Sequence, residues 1–382
     1  MKAVELTGDM LRDIERMQSD VIELIRTLCA IPAPSHREER RAQFVKAWFE
    51  SRGMCAEIDE ALNVRCPMGL DCHEDMVVVM AHMDTVFPDM EPMPLREEDG
   101  RIYCPGVGDD TANLAAMMHL AAYLHEKEFE PGCGVLFVAN SCEEGLGNLK
   151  GCRAVMQAYG PRVRAFLALD GCRDSVCTGA VGSSRYRISA STQGGHSFAD
   201  FGRKSAIEAL CRIACALYDQ RVPHADGSIT TYNVGEIHGG TSVNTIAQQA
   251  QMLYEYRSNR ASCLAIMESR MRDILRASAC ADAQVHVELL GTRPCAGQVD
   301  AAAQDALSAA CRQALFCHTG AMPRLSSGST DCNIPLSMGI PSACFGVYLG
   351  EGEHTRQEWI DPSTICSGMK AAASVLLNWF CL

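Results

Sequence analysis

Three short apolar runs alternate along the chain with stretches of helical periodicity: MVVVMA (Met76–Ala81), GVLFVA (Gly134–Ala139) and VRAFLALD (Val163–Asp170). Runs this short, apolar at consecutive positions, mark strands buried on both faces. Strands of that kind lie parallel and are joined by helical crossovers. TANLAAMMHLAAYLHE (Thr111–Glu126) and LKGCRAVMQAY (Leu149–Tyr159) supply such crossovers. Helical spacing also runs through Leu6–Ile25 and, after the break at IPAPSHREE, through Phe44–Phe49. The pattern predicts an α/β unit in which helices cover a largely parallel sheet.

The character changes after about Gly182. RYRISAST, SITTYNVGEI, AQMLYEYRS and AQVHVELL alternate polar with apolar residues, and the helical stretches KSAIEALCRIACALYDQ and CLAIMESRMRDILRA lie between them. Strand-helix-strand-strand-helix-strand is the pattern of a small α+β, ferredoxin-like sandwich with a half-exposed sheet. At 382 residues the chain is longer than one hydrophobic core usually supports. The expected organisation is one α/β domain, 1–181 and 296–382, with a second domain, 182–295, inserted into it.

A formal charge of −13 disfavours nucleic acid and anionic membranes as partners. In the opening MKAVELTGDMLRDIERMQSDVIELIRTLCA, charges from Lys2 to Arg26 interrupt any apolar core, so a signal peptide or membrane span is not expected. The 21 cysteines include no C-x-x-C spacing, which suits free thiols in a reducing cytoplasm.

The apolar runs end in acids and a histidine. MVVVMA leads into HMDTVFP, where His82 and Asp84, two apart on an extended segment, point the same way. The loop CPGVGDDTAN places Asp109 and Asp110 before a helix; capping accounts for one acid but not for two. Its Gly-x-Gly lacks the third glycine of a dinucleotide fingerprint, Thr111 standing there. GVLFVA is followed by Glu143 and Glu144, and AFLALD ends in Asp170. Open α/β sheets place their sites at these carboxyl ends. Crowded like charges need a compensating cation, and these loops carry no lysine. A divalent metal fills that role, and two metals sharing one carboxylate fill it better. Oxygen ligands mixed with imidazole suit zinc, and also manganese or cobalt. His354, in GEGEHTRQEW, offers a further imidazole. No G-x-S-x-G or phosphate-loop signature competes with this reading.

In order and spacing, AHMDTVFP, GVGDD, NSCEEGLGN, LDG, GGHS, GGTSVNTI, GSTD…GIPS and GEHT closely resemble the M20 metallopeptidase family, which includes peptidase T-like enzymes, glutamate carboxypeptidases and amino-acid deacylases. The resemblance spans nearly the whole chain. It implies a zinc-hydrolase catalytic domain with an inserted lid or dimerisation domain, two metal ions per chain and a homodimer. It places His82 and Asp170 on one zinc, Glu144 and His354 on the other, and Asp109 between them. Asp84 orients His82, Glu143 is the general base, and His196 donates a hydrogen bond to the substrate carbonyl, in related dimers from the other subunit. The implied reaction is hydrolysis of an amide in a small peptide, with N-acyl amino acids as the alternative substrate. Two positions depart from the family: Thr111 stands where many members have lysine, and Arg257 sits in EYRS where D-x-R is common.

Arg257 (LYEYRSN) and Arg293 (LLGTRPC) stand where inserted-domain strands end, Asn244 lies in the turn GGTSVNTI, and Ser329 and Thr330 belong to SSGSTD. A guanidinium fork with small polar groups beside it suits a carboxylate, so these residues are candidates for a substrate-carboxylate receptor.

Overall fold

The computed structural model describes residues 6–278 and 282–380, so MKAVE, Cys280 and Cys381 lie outside the described residues. The chain divides into two compact units, Met1–Ala180 with Gly297–Leu382, and Val181–Ala296.

The first unit is built on an eight-stranded sheet in the spatial order Glu57–Ile58, Val64–Met68, Gly134–Asn140, Met76–His82, Val163–Ala168, Ser342–Cys344, Ser175–Ala180, Arg324–Gly328. The central strands, from Gly134–Asn140 to Ser342–Cys344, run parallel. Val64–Met68 and Glu57–Ile58 add antiparallel neighbours at one side, and Ser175–Ala180 pairs antiparallel with Ser342–Cys344. The sheet is therefore mixed rather than largely parallel. The turn between Ile58 and Val64 is too short for a crossover and can join only antiparallel strands. Ser175–Ala180 and Arg324–Gly328 are partly or largely exposed, so they carry no continuous apolar run to read.

Period-two geometry sends alternate residues of the central strands to opposite faces. Val77, Val79, Val135, Phe137 and Leu167 join one core, under the helices Gly8–Cys29, Asn113–Glu126, Ala301–Thr319 and Ile365–Phe380. Val78, Met80, Leu136, Val138 and Phe166 join the other, with Cys152, Val155, Ile334 and Leu336 from Lys150–Tyr159 and Asn333–Ser337. Thr7 caps the first helix by accepting from the Met10 N–H. Asp300 does the same for Ala301–Thr319, which closes on Gly320 at φ +73°. Arg41, 3% exposed, donates to the carbonyls of Leu28, Ile31 and Met83, tying the end of the first helix to the segment just after His82.

A small antiparallel sheet, in the order Leu349–Glu351, Trp359–Asp361, Arg101–Tyr103, Arg96–Glu98, completes this unit. Its strands are three residues each and were not legible as strands. It matters because Trp359 pairs with Tyr103, which brings the loop after Tyr103 beside the loop holding His354.

The second unit is a four-stranded antiparallel sheet in the order Thr230–Gly239, Gln249–Ser258, Gly182–Ser191, Gln284–Arg293. Helices Ala206–Asp219 and Ala261–Ala277 bury Leu210, Ile213, Leu217, Met267 and Met271 against Ile188, Met252, Tyr254 and Tyr256 on one face. Alternation leaves Arg185, Arg187, Glu255 and Arg257 to the other face. Every cysteine described is a free thiol, and no described helix is long and apolar enough to cross a membrane.

One core contact makes stability sensitive to acid. His119, 7% exposed and 5.0 Å from the Trp48 ring, is pushed down to about 4 by burial and by nearby Arg52. The unfolded chain therefore binds a proton that the folded chain refuses, from the ordinary histidine value near 6.5 down to about 4. The stability involved is fully present above pH ~6.5 and is lost as pH falls through that window, on the order of 3 kcal/mol in all. In urea unfolding measured across this range, His119→Gln should show a shallower loss of stability than the parent; parallel pH profiles would count against this origin.

Candidate metal centre

Three parallel strands fix the first part of the cluster. His82 ends Met76–His82, Glu143 and Glu144 follow Gly134–Asn140, and Asp170 follows Val163–Ala168. The three strands are adjacent and point the same way, so their carboxyl ends deliver these side chains to one place. The small sheet brings the other two, Asp109 and His354.

Asp109 faces both imidazoles. Its Oδ1 lies 2.9 Å from His82 Nε2 and its Oδ2 lies 3.0 Å from His354 Nε2. His354 Nε2 is also 3.0 Å from Glu144 Oε1. The His82 Nδ1–H donates to the Asp84 carbonyl at 3.0 Å, with the Asp84 carboxylate at 3.5 Å, which turns Nε2 toward the cluster. Ligand atoms come within 4.8 Å of one another in the groups His82–Asp109–Asp170, Asp109–Glu144–His354 and His82–Glu143–Glu144.

The electrostatics are those of a site short of cations. Burial and the Asp109 charge raise Glu144 to about 8 and push Asp170 well above the carboxylate range. Burial and Glu143 raise Asp331 to about 7. Burial alone would raise Asp109 too, but hydrogen bonds from His354 and His82 hold it well below the usual range. Those same bonds to Asp109 and Glu144 raise His354 to about 11. The imidazoles thus hold protons where a divalent cation would otherwise neutralise the carboxylates. Oxygen and imidazole donors, convergence and unbalanced charge together fit a dinuclear metal site.

A second set of buried groups holds the ligand loops rather than facing the centre. Asp84 accepts from the backbone N–H groups of Glu143 (2.9 Å) and Glu144 (3.0 Å) and from the Ser35 hydroxyl (2.6 Å). Asp110 accepts from the His82 N–H, which explains the second acid of the pair better than helix capping does. Asn113 donates to Asp110 and to the Gly171 carbonyl, and its oxygen accepts from the Val347 N–H. Glu358 accepts from the N–H groups of Gly106, Gly108 and Asp109. Glu38 accepts from the N–H and thiol of Cys142. Sequence reading missed Asn113, Glu358 and Glu38, because a residue that grips remote backbone carries no local spacing signal.

Of the carboxylate-receptor candidates, Ser329 and Thr330 belong to the first unit, after Arg324–Gly328; the Thr330 hydroxyl accepts from the Cys332 N–H. Asn244, Arg257, Arg293 and His196 belong to the second. Arg257 forms a two-pronged pair with Glu255, at 2.9 and 3.1 Å. Arg293 is buried at the end of its strand, and with Arg257 it pulls down the neighbouring Arg185, whose burial does so most. Asn244 is exposed and accepts from the Ser242 hydroxyl. His196 is exposed; its Nδ1 accepts from the N–H groups of Phe198 and Ala199, so its proton sits on Nε2.

A mixed sheet delivering a convergent His/Asp/Glu cluster from its strand ends defines a metal-binding α/β protein of the hydrolase kind. The profile described as Peptidase family M20/M25/M40 matches residues 78–378, and the chain belongs to that family. It is 26% identical over 361 residues to a Mycobacterium tuberculosis protein provisionally named succinyl-diaminopimelate desuccinylase DapE, covering 92% of this chain and 97% of that one. Its fold is similar to that of a tripeptidase from Staphylococcus aureus (TM-score 0.74, 23% identity, 94% and 97% of the two chains). It is likewise similar to the dipeptidase Dug1p from Saccharomyces cerevisiae (TM-score 0.77, 15% identity, 97% of each chain). Family and site geometry support metal-dependent amide hydrolysis.

Protein purified without chelators should carry close to two divalent ions per chain by elemental analysis, and chelation should abolish hydrolysis until zinc, manganese or cobalt is returned. Full activity in metal-free chain would overturn the centre.

Proposed function

We propose that the protein hydrolyses an amide bond in small peptides at a dinuclear centre, zinc being the expected metal. The observation that carries this reading is Asp109, whose two oxygens face His82 and His354 separately. On this reading His82 and Asp170 hold one ion, Glu144 and His354 the other, and Asp109 is shared. When bound, the ions supply Lewis acidity toward the carbonyl oxygen and lower the pKa of water. Glu143, 5% exposed and adjacent to the ligand Glu144, takes the proton of the attacking water and returns it to the leaving amine. Asp84 keeps the two glutamates in register by holding both backbone N–H groups. His196 is the proposed donor to the carbonyl oxygen as negative charge develops there, a role its Nε2–H tautomer suits.

The roles separate by mutation. Glu143→Ala should lower kcat by at least about 10²-fold with metal content near normal. His196→Ala should also lower kcat and keep the metal, whereas Glu144→Ala should lose metal. Equal metal loss in Glu143→Ala and Glu144→Ala would mean that the pair is assigned wrongly.

An N-acyl amino acid is the second reading, favoured by the likeness to the mycobacterial protein named as a desuccinylase. Kinetics on a panel of di- and tripeptides against N-succinyl and N-acetyl amino acids decide between the two. Either substrate class offers a free carboxylate near the cleaved amide, which Arg293, Arg257, Asn244 and the Ser329–Thr330 loop are proposed to receive. Replacing that carboxylate by its neutral amide should cost about 1.5–3 kcal/mol, the strength of a charged hydrogen bond. That is roughly 10- to 150-fold in kcat/KM. Arg293→Ala or Arg257→Ala should erase the preference if that arginine is the anchor. Equal cleavage of acid and amide by the parent protein would remove the receptor from the proposal.

A further inference from the structure

Glu358 is 1% exposed, and both its carboxylate oxygens are committed to backbone. Oε2 accepts from the Gly106 N–H at 2.6 Å, and Oε1 from the N–H groups of Gly108 at 2.8 Å and Asp109 at 2.9 Å. Three N–H groups within four residues, with the Val107 N–H between them turned to the Cys104 carbonyl, form an anion cradle of the kind that elsewhere takes a phosphate or a bound ion. Here a side chain of the same protein fills it, carried in beside the short strand Trp359–Asp361.

The cradle is shaped for this occupant. Gly106 turns the chain at φ +75°, in the left-handed region that favours glycine. A Cβ on Gly108 would stand 2.4 Å from the Tyr348 hydroxyl, so the backbone is laid directly against that ring. The Cys104 N–H donates to the Glu358 carbonyl at 3.2 Å, pinning the start of the loop to the same residue. Glu358 thus holds both the entry and the end of the loop carrying Asp109. The end it holds is the N–H of Asp109 itself, two bonds from the Cβ whose rotation decides where Oδ1 and Oδ2 point.

We propose that Glu358 is a positioning residue for Asp109, fixing the carboxylate so that one oxygen serves the His82 side of the centre and the other the His354 side. The proposal rests on the reading of Asp109 as the shared ligand. Without the grip, Asp109 is free to turn toward one side and leave the other short of a donor. The expected signature is therefore unequal: one metal is held nearly as before and the second is held weakly. General loosening of the fold would weaken both alike.

The experiment is a competitive titration of metal-free protein with Zn²⁺ against a chromophoric chelator, resolving two stepwise affinities, for the parent and for Glu358→Gln. Glutamine keeps the shape but replaces one acceptor oxygen by an NH₂ group that faces backbone N–H. The weaker step should fall about 10- to 100-fold, the usual cost of losing an outer partner of a metal ligand, while the tighter step changes less than about 3-fold. In Mn²⁺-loaded protein, the exchange coupling seen by electron paramagnetic resonance in the parent should be weakened in the variant. Unchanged stepwise affinities, or an equal fall in both, overturn the proposal. If Glu358→Gln does not fold, Glu358→Asp is read by the same two measurements; it keeps the charge and draws the carboxylate back by one methylene. A parent that takes up only one ion would instead overturn the shared-ligand reading, so the two failures are distinguishable.

Discussion

The structure depends on how it disposes of buried carboxylates. A carboxylate taken out of water needs either a cation or a set of hydrogen-bond donors. The first unit uses both solutions, side by side. Asp109, Glu144 and Asp170 face the imidazoles and together present a site for cations. Asp84, Asp110 and Glu358 turn to backbone N–H groups of the loops that carry those ligands. The second solution organises the first, because a ligand can hold its aim only if its own backbone is held.

Each grip crosses from one strand end to another. Asp84, after Met76–His82, holds Glu143 and Glu144, after Gly134–Asn140. Asp110 reaches back to the His82 N–H, and Asn113 joins that acid to the Gly171 carbonyl and the Val347 N–H. The parallel strands set the spacing of these loops, and the side-chain-to-backbone bonds lock one loop to the next. Displacing a single loop therefore disturbs its neighbours, and rigid placement of this kind is what electrostatic catalysis requires.

What was legible in the sequence follows the same division. The central strands announce themselves by continuous apolar runs, and the acids and histidine after them stand out because charge has no packing reason to be there. The edge strand Arg324–Gly328 and the three-residue strands around Trp359 and Tyr103 expose much of their surface and give no periodicity. Their pairing is a tertiary fact. Arg257 illustrates a different limit: its pairing with Glu255, two residues earlier on the same strand face, is visible only once the strand is built. Glu358 lies in the same quoted stretch as His354, yet a grip on Gly106 spans 252 positions and leaves no local trace.

The small sheet that pairs Trp359 with Tyr103 has a consequence for the order of assembly on the ribosome. Among the described residues, five of the six convergent side chains, His82, Asp109, Glu143, Glu144 and Asp170, are synthesised before the second unit begins at Val181. His354 and Glu358, which accepts from the Asp109 N–H, arrive only after that unit has been made. Until then the nascent protein carries a crowded acidic cluster lacking one imidazole and one anchor. The cluster is thus complete only once the chain has passed Glu358, and a chain interrupted between Asp170 and His354 holds most of the cluster without its last imidazole and the Glu358 grip.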